Sequence, residues 1–210
     1  MQMLGQTTLG IAILALLALM VASKWAATGA ILDRPHGNFL VQLVNIFNLF
    51  FLLVVNPLAA ILLIAGRMDT IDPTHFSFGP QPVTLSAEAL GLLLYVGGVS
   101  FMGWALLVLG RNYQLGGSVP RPEDELITNG PYRFVRHPMY AAALSIAAGL
   151  ALLIQSGGVL CVLLVYLLLI RRLIPLEEER LSGVYGERFA TYRQRTGSLL
   201  PHLPVSAGDS

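Results

Sequence analysis

Five apolar runs separated by polar stretches organise the chain: Thr8 to Ser23, Phe39 to about Ala65, Ala87 to Gly110, Met139 to Ile154 and Val159 to Ile174. A helix crosses the hydrocarbon core of a bilayer with about 20 residues, so each run is a candidate transmembrane helix. The second run is longer than a span needs and contains Asn45, Asn48, Asn56 and Pro57. The proline removes a ladder donor, which predicts a tilt or kink near it, and the asparagines predict hydrogen bonds between helices. Gly97, Gly98 and Gly103 in the third run predict close helix packing. Only Gln155-Ser156-Gly157-Gly158 separates the fourth run from the fifth, which predicts a tight helical hairpin. The segment MQMLGQTT ahead of the first run has no Lys or Arg, whereas a secretory signal carries positive charge there; the run reads as a retained span.

Composition narrows the class. The 210 residues are 55% hydrophobic and 12% charged, against about 25% charged in an ordinary soluble domain. That excludes a soluble globular enzyme and a disordered chain. A net charge of +1 with no basic tract excludes a nucleic-acid partner. The single cysteine, Cys161, lies in an apolar run and rules out an internal disulfide or thiolate cluster. His36, His75 and His202 are isolated from other ligand types, so no metal is expected. The expected fold is an all-α integral membrane protein of five transmembrane helices with a C-terminal cytoplasmic amphipathic helix. It divides into a three-helix membrane region, 1–110, and a region bearing the chemistry, 111–210, within one integrated domain.

Charge tests this topology. Five spans put segments 24–38, 111–138 and 171–210 on one side. These hold Lys24, Arg34, Arg111, Arg121, Arg133, Arg136, Arg171, Arg172, Arg180, Arg188, Arg193 and Arg195, leaving Arg67 alone on the other. Cytoplasmic loops carry such an excess of Lys and Arg, so the polar segments face the cytoplasm and 67–86 is an external loop.

Two polar segments carry candidate chemistry. In DELITNGPYRFVRHPMY, Asp124 to Tyr140, Gly130-Pro131 is a helix opening. Helical spacing would then set Arg133, Arg136, His137 and Tyr140 on one face. Pro138 competes with that reading, placing His137 at a cap and opening the fourth span itself. Either arrangement gathers two cations and an imidazole where a helix N-terminus meets the membrane surface, a site for an anionic group; anchoring at lipid headgroups explains the same residues. In the second segment Pro175 leads into Glu177-Glu178-Glu179, and Leu181, Val184, Tyr185, Phe189 and Tyr192 form an amphipathic stripe. The glutamates complement a helix dipole or pair with Arg172 or Arg180. They equally suit ribose hydroxyls or an α-ammonium group, with the arginines holding a carboxylate.

Taken together, G-P-Y-R-x-x-R-H-P-x-Y at Gly130 to Tyr140 and E-E-x-x-L-x-x-x-[FY]-G at Glu177 to Gly186 resemble the isoprenylcysteine carboxyl methyltransferase and phospholipid methyltransferase family, with Phe189, Tyr192 and Pro201 continuing the pattern. The resemblance covers residues 110–203. It implies methyl transfer from S-adenosyl-L-methionine to a lipophilic small molecule or lipid, by carboxyl O-methylation or amine N-methylation. By motif match Tyr132, His137, Pro138, Met139 and Tyr140 line the cofactor pocket, Leu126 and Ile127 its adenosyl end, and Glu177 and Glu178 contact the cofactor. Arg136, His137, Tyr140 and Arg172 are the candidate catalytic residues. The chain departs from the family pattern at Asp124, where many carboxyl methyltransferases have histidine. It departs again at Leu173, where the substrate arginine usually stands, and Arg171 or Arg172 would replace that arginine. Membrane sterol reductases share the R-H-P-x-Y and glutamate-pair motifs and use NADPH; a small non-enzymatic lipid-binding protein is the other alternative.

Overall fold

The computed structural model describes residues 4–31, 38–113 and 124–202, and among them there is no strand. Arg34, His36 and Arg121 lie outside the described residues. Five long helices follow one another: α1 (Gln6–Thr28), α2 (Phe39–Ile64), α3 (Gln81–Leu109), α4 (Pro138–Ile154) and α5 (Gly157–Tyr185), with a short α6 (Glu187–Arg195) after them. All but α4 and α6 are long and apolar enough to cross a membrane. At 17 residues α4 is shorter, about 25 Å at the α-helical rise. It is also the most enclosed, wedged between α3 and α5. The chain is an integral membrane protein.

Connections alternate between two ends. At one end the 65–80 connection packs on the α4–α5 turn: Phe76 N–H donates to Gln155 O at 2.9 Å and Gly157 N–H to Thr74 O at 3.0 Å. The other end gathers the start of α2, residues 124–137 and the chain after α5. Two apolar cores follow this division. One, built on Leu9, Ile13, Leu17, Leu63, Tyr95 and Leu150, joins α1 through α4. The second joins α2, α4 and α5 through Val41, Val44, Tyr140, Tyr166, Ile170 and Leu173, directly beneath the polar segments.

Near Pro57, where a tilt or kink is expected, α2 contains a π-helical turn, Phe51–Val55, just before Asn56. The Asn56 side chain bonds both to this turn and to the neighbouring helix: its Nδ2 donates to Phe51 O at 2.9 Å and its Oδ1 accepts from Tyr95 Oη on α3 at 2.9 Å. That is one interhelical bond of the kind expected. Of Gly97, Gly98 and Gly103, Gly98 makes the closest approach. A Cβ there would stand 2.8 Å from Ile146 Cγ1, and one at Gly149 would stand 2.6 Å from Tyr95 N, so α3 and α4 meet backbone to backbone. Gly97 faces open space instead.

Three local expectations are corrected. Gly130–Arg133 forms a 3₁₀ turn rather than the start of an α-helix, and the chain turns again before Pro138 opens α4, so Arg133 and Tyr140 never share a helix face. Pro175 does not end α5, which runs on to Tyr185. A proline inside a helix costs about 3 kcal/mol. The helix is pinned on both sides of it, by buried Ile170, Leu173 and Ile174 before and by Glu177 and Glu178 after. The amphipathic stripe is divided at Gly186, whose φ of 52° closes α5: Leu181 and Tyr185 lie on α5, Phe189 and Tyr192 on α6.

Candidate active site

Backbone bonds join the first motif to the segment that follows α6. Val135 pairs with Gly197 in an isolated parallel bridge. Arg136 N–H then donates to Gly197 O at 2.8 Å and His137 N–H to Ser198 O at 3.0 Å. Gly197 suits this crossing because a Cβ there would collide with the Leu200 carbonyl. Tyr192 on α6 adds a hydrogen bond from its hydroxyl to Tyr132 O at 2.6 Å. The 3₁₀ turn, the start of α4 and the end of α6 thus form one body.

Within it a chain of polar contacts runs from α4 to α5. Tyr140 Oη donates to Glu177 Oε1 at 2.7 Å. Glu177 Oε2 lies 3.4 Å from His137 Nδ1, and His137 Nε2 lies 3.2 Å from Glu178 Oε1. The same Glu178 oxygen accepts from Arg136 Nε at 2.9 Å and sits 2.8 Å from Nη2. Arg136 Nη1 donates to the carbonyls of Arg193 and Thr196. His137 therefore meets a carboxylate at each ring nitrogen, which the doubly protonated imidazolium alone satisfies. Burial of the ring opposes protonation, but the hydrogen bonds and charges of Glu177 and Glu178 outweigh it and hold the His137 pKa above its ordinary value. Two anions facing two cations leave the cluster neutral.

Sequence-expected residues separate here. Tyr132, Arg136, His137, Pro138, Met139, Tyr140 and Glu177 line one cavity of about 390 Å³, with Leu126 and Ile127 at its loop end. Glu178 stands behind His137 rather than in the wall. Arg136 is satisfied by Glu178 and by backbone carbonyls, and Arg133 is exposed with its guanidinium over Phe134, 4.7 Å from the ring centroid. The anticipated pair of free cations is therefore not assembled. Arg172 is exposed and outside the cavity wall, while Leu173 is sealed in the apolar core. Among the described residues no cluster of His, Cys, Asp and Glu has the makings of a metal site.

Sequence reasoning did not single out the contribution of the N-terminal helices. Met20 and Lys24 of α1, Asn48 and Phe51 of α2 and Met102 of α3 complete the cavity wall. Their signal in sequence was at most polarity inside an apolar run, as at Asn48. Two buried hydroxyls in the wall, Tyr132 Oη and Tyr166 Oη, have no hydrogen-bond partner among the described residues. Burial, reinforced by neighbouring Tyr192, Tyr113 and Glu177, pushes the Tyr132 pKa up, so its hydroxyl stays a donor. An unmatched buried hydroxyl costs about 1–3 kcal/mol, which a bound molecule can restore.

Residues 86–188 match the family model of phospholipid methyltransferases. The cobalt-zinc-cadmium resistance protein CzcN of Cupriavidus metallidurans is 33% identical over 120 residues, 57% of this chain and 54% of that protein. Protein-S-isoprenylcysteine O-methyltransferase B of Arabidopsis thaliana is 27% identical over 116 residues, 54% of this chain and 58% of that one. The chain thus matches about half the length of these curated relatives. Among solved structures, a eukaryotic intramembrane Ras methyltransferase, isoprenylcysteine carboxyl methyltransferase, shares the fold with a TM-score of 0.52, covering 88% of this chain and 73% of that one at 18% identity. Motifs, fold and family match thus agree: residues 86–188 are similar to the phospholipid methyltransferase family, and the chain shares the fold of an isoprenylcysteine carboxyl methyltransferase.

Proposed function

We propose that this protein transfers a methyl group from S-adenosyl-L-methionine to a lipophilic, membrane-borne acceptor at the cytoplasmic face of the membrane. The observation that carries the reading is the cavity itself. It begins at Tyr132, His137 and Glu177 and continues between helices to Ile46 and Leu49, both exposed on the lipid-facing side of α2. A soluble donor has access from the loop end and an apolar acceptor from the bilayer. The volume is within the range of small-molecule sites, about 300–1,000 Å³.

The wall suits the donor's chemistry. Glu177 offers carboxylate oxygens to an ammonium or ribose hydroxyl, Tyr132 an unmatched hydroxyl, Leu126 and Ile127 an apolar edge for a purine, and Arg136 positive charge near a carboxylate. When bound, S-adenosylmethionine supplies an electrophilic methyl on a sulfonium. The chain's own residues bind, orient and exclude water, effects worth several kcal/mol together. His137, protonated and gripped on both sides, is a poor base in this reading; it fixes the two carboxylates at a set spacing. Glu177 and Tyr140 are the groups able to meet the reactants.

The five-span topology belongs to the same proposal. α4 is the fifth span, residues 1–110 supply membrane walls, and 111–210 supply most of the polar groups. Twelve of the thirteen Lys and Arg then fall on one side, supporting a cytoplasmic site. The test is ligand-induced stabilisation of purified protein. S-adenosylhomocysteine is expected to raise the melting temperature. Stabilisation by NADPH instead would favour the reductase alternative, and by neither a non-enzymatic one.

A further inference from the structure

The inner part of the cavity contains a polar group for which the donor reading has no use. Tyr166 lies on α5 eleven residues before Glu177, about three helical turns and on the same face. It is 3% exposed, its ring is stacked on Phe47 of α2 at 5.7 Å, and its hydroxyl is one of the two unmatched ones in the wall. Asn48 of α2 stands beside that hydroxyl. A buried hydroxyl left open beside an amide, within reach of an apolar route from the bilayer, has the form of a subsite with its ligand's oxygen missing.

The charge of that ligand follows from what surrounds it. Among the described wall residues the cations are Lys24, Arg136 and the His137 imidazolium, all at the loop end, the last gripped between Glu177 and Glu178. Lys24 is over the Tyr113 ring at 5.0 Å and donates to Ala30 O, and Arg136 is held by Glu178. The core around Tyr166 is apolar, built with Val41, Val44, Ile170 and Leu173. A carboxylate would enter this apolar region unpaired, which is strongly unfavourable.

We propose that Tyr166 and Asn48 form the acceptor's subsite, and that they select a membrane-borne molecule by an uncharged hydroxyl or carbonyl oxygen while rejecting carboxylates. This rests on the methyltransferase reading for the word acceptor, but the subsite is testable without turnover. Protein in lipid nanodiscs at pH 8 is titrated with 1-hexadecanol, hexadecanoate and S-adenosylhomocysteine, and apparent Kd is read from the shift in melting temperature. Wild type is expected to bind hexadecanol at least tenfold more tightly than hexadecanoate. Tyr166→Phe, which keeps the ring on Phe47, is expected to weaken hexadecanol about tenfold and leave S-adenosylhomocysteine unchanged. Its ligand-free melting temperature should not fall, because no native hydrogen bond is lost. Asn48→Leu serves as a second variant with the same expectation for hexadecanol. Equal hexadecanol affinity in wild type and both variants, or equal affinity of wild type for alcohol and carboxylate, overturns the subsite. Failure of wild type to bind S-adenosylhomocysteine overturns the donor reading instead, and the alcohol comparison still decides the subsite.

Discussion

The Tyr140 hydroxyl donates to Glu177 Oε1 at 2.7 Å across a separation of 37 residues. This contact joins the R-H-P-x-Y motif to the glutamate pair and makes one wall from two motifs. It also fixes which glutamate faces the cavity: Glu177 meets Tyr140, while Glu178 turns to Arg136. The two residues are accordingly expected to fail in different ways.

Glu177→Gln keeps the shape of the side chain and removes its charge. It is expected to weaken S-adenosylhomocysteine binding by about 1.5–3 kcal/mol, the value of a hydrogen bond to a charged group. Calorimetric titration of the variant against wild type checks this; unchanged affinity would remove Glu177 from the donor site.

Arg136 and Glu178 are a largely buried pair, with side chains 10% and 12% exposed. Arg136→Met leaves Glu178 facing His137 alone and releases the carbonyls of Arg193 and Thr196. A loss of about 3 kcal/mol is expected, read as a lower melting temperature in detergent. Arg136→Lys should recover little of it, since an ammonium cannot reproduce the guanidinium's several fixed donors.

The raised pKa of His137 makes stability depend on pH. Because folding raises it above the ordinary 6.5, its contribution is fully present below that pH and is lost as pH rises through the folded-state value. Melting temperature followed from pH 6 upward should therefore decline more steeply in wild type than in His137→Gln. Parallel curves would show that the imidazolium is not what the two carboxylates hold.

Gly149→Ala places a methyl against the Tyr95 backbone and is expected to cost about 1–3 kcal/mol through overpacking. Gly97→Ala, in open space on the same interface's helix, is the control, expected to be neutral or slightly stabilising.

Topology can be checked by labelling from outside. With Cys161 replaced by serine, Ser77→Cys should react with a membrane-impermeant maleimide in intact cells, whereas Gly183→Cys should react only after lysis. Reversed labelling would place the candidate site outside.

By itself the sequence determined the class and the parts. Apolar runs of spanning length, sparse charge and one-sided Lys and Arg identify a multi-helix membrane protein, because a bilayer accepts little else. The spacing of Arg136, His137, Pro138 and Tyr140, and the glutamate pair after Pro175, marked the polar segments that meet. Local rules failed where distant contacts outweighed them. A proline reads as a helix end, yet α5 passes through Pro175 because core residues before it and carboxylate contacts after it are both satisfied only if the helix continues. Arg136 reads as a free cation, yet folding brings Glu178 and two carbonyls to it. The tertiary structure alone decided that Glu177 faces the cavity, that Leu173 is sealed and Arg172 left outside, and that Tyr166 ends unmatched. A side chain's partners across a bundle depend on which helix faces which, and no local pattern in the chain records that.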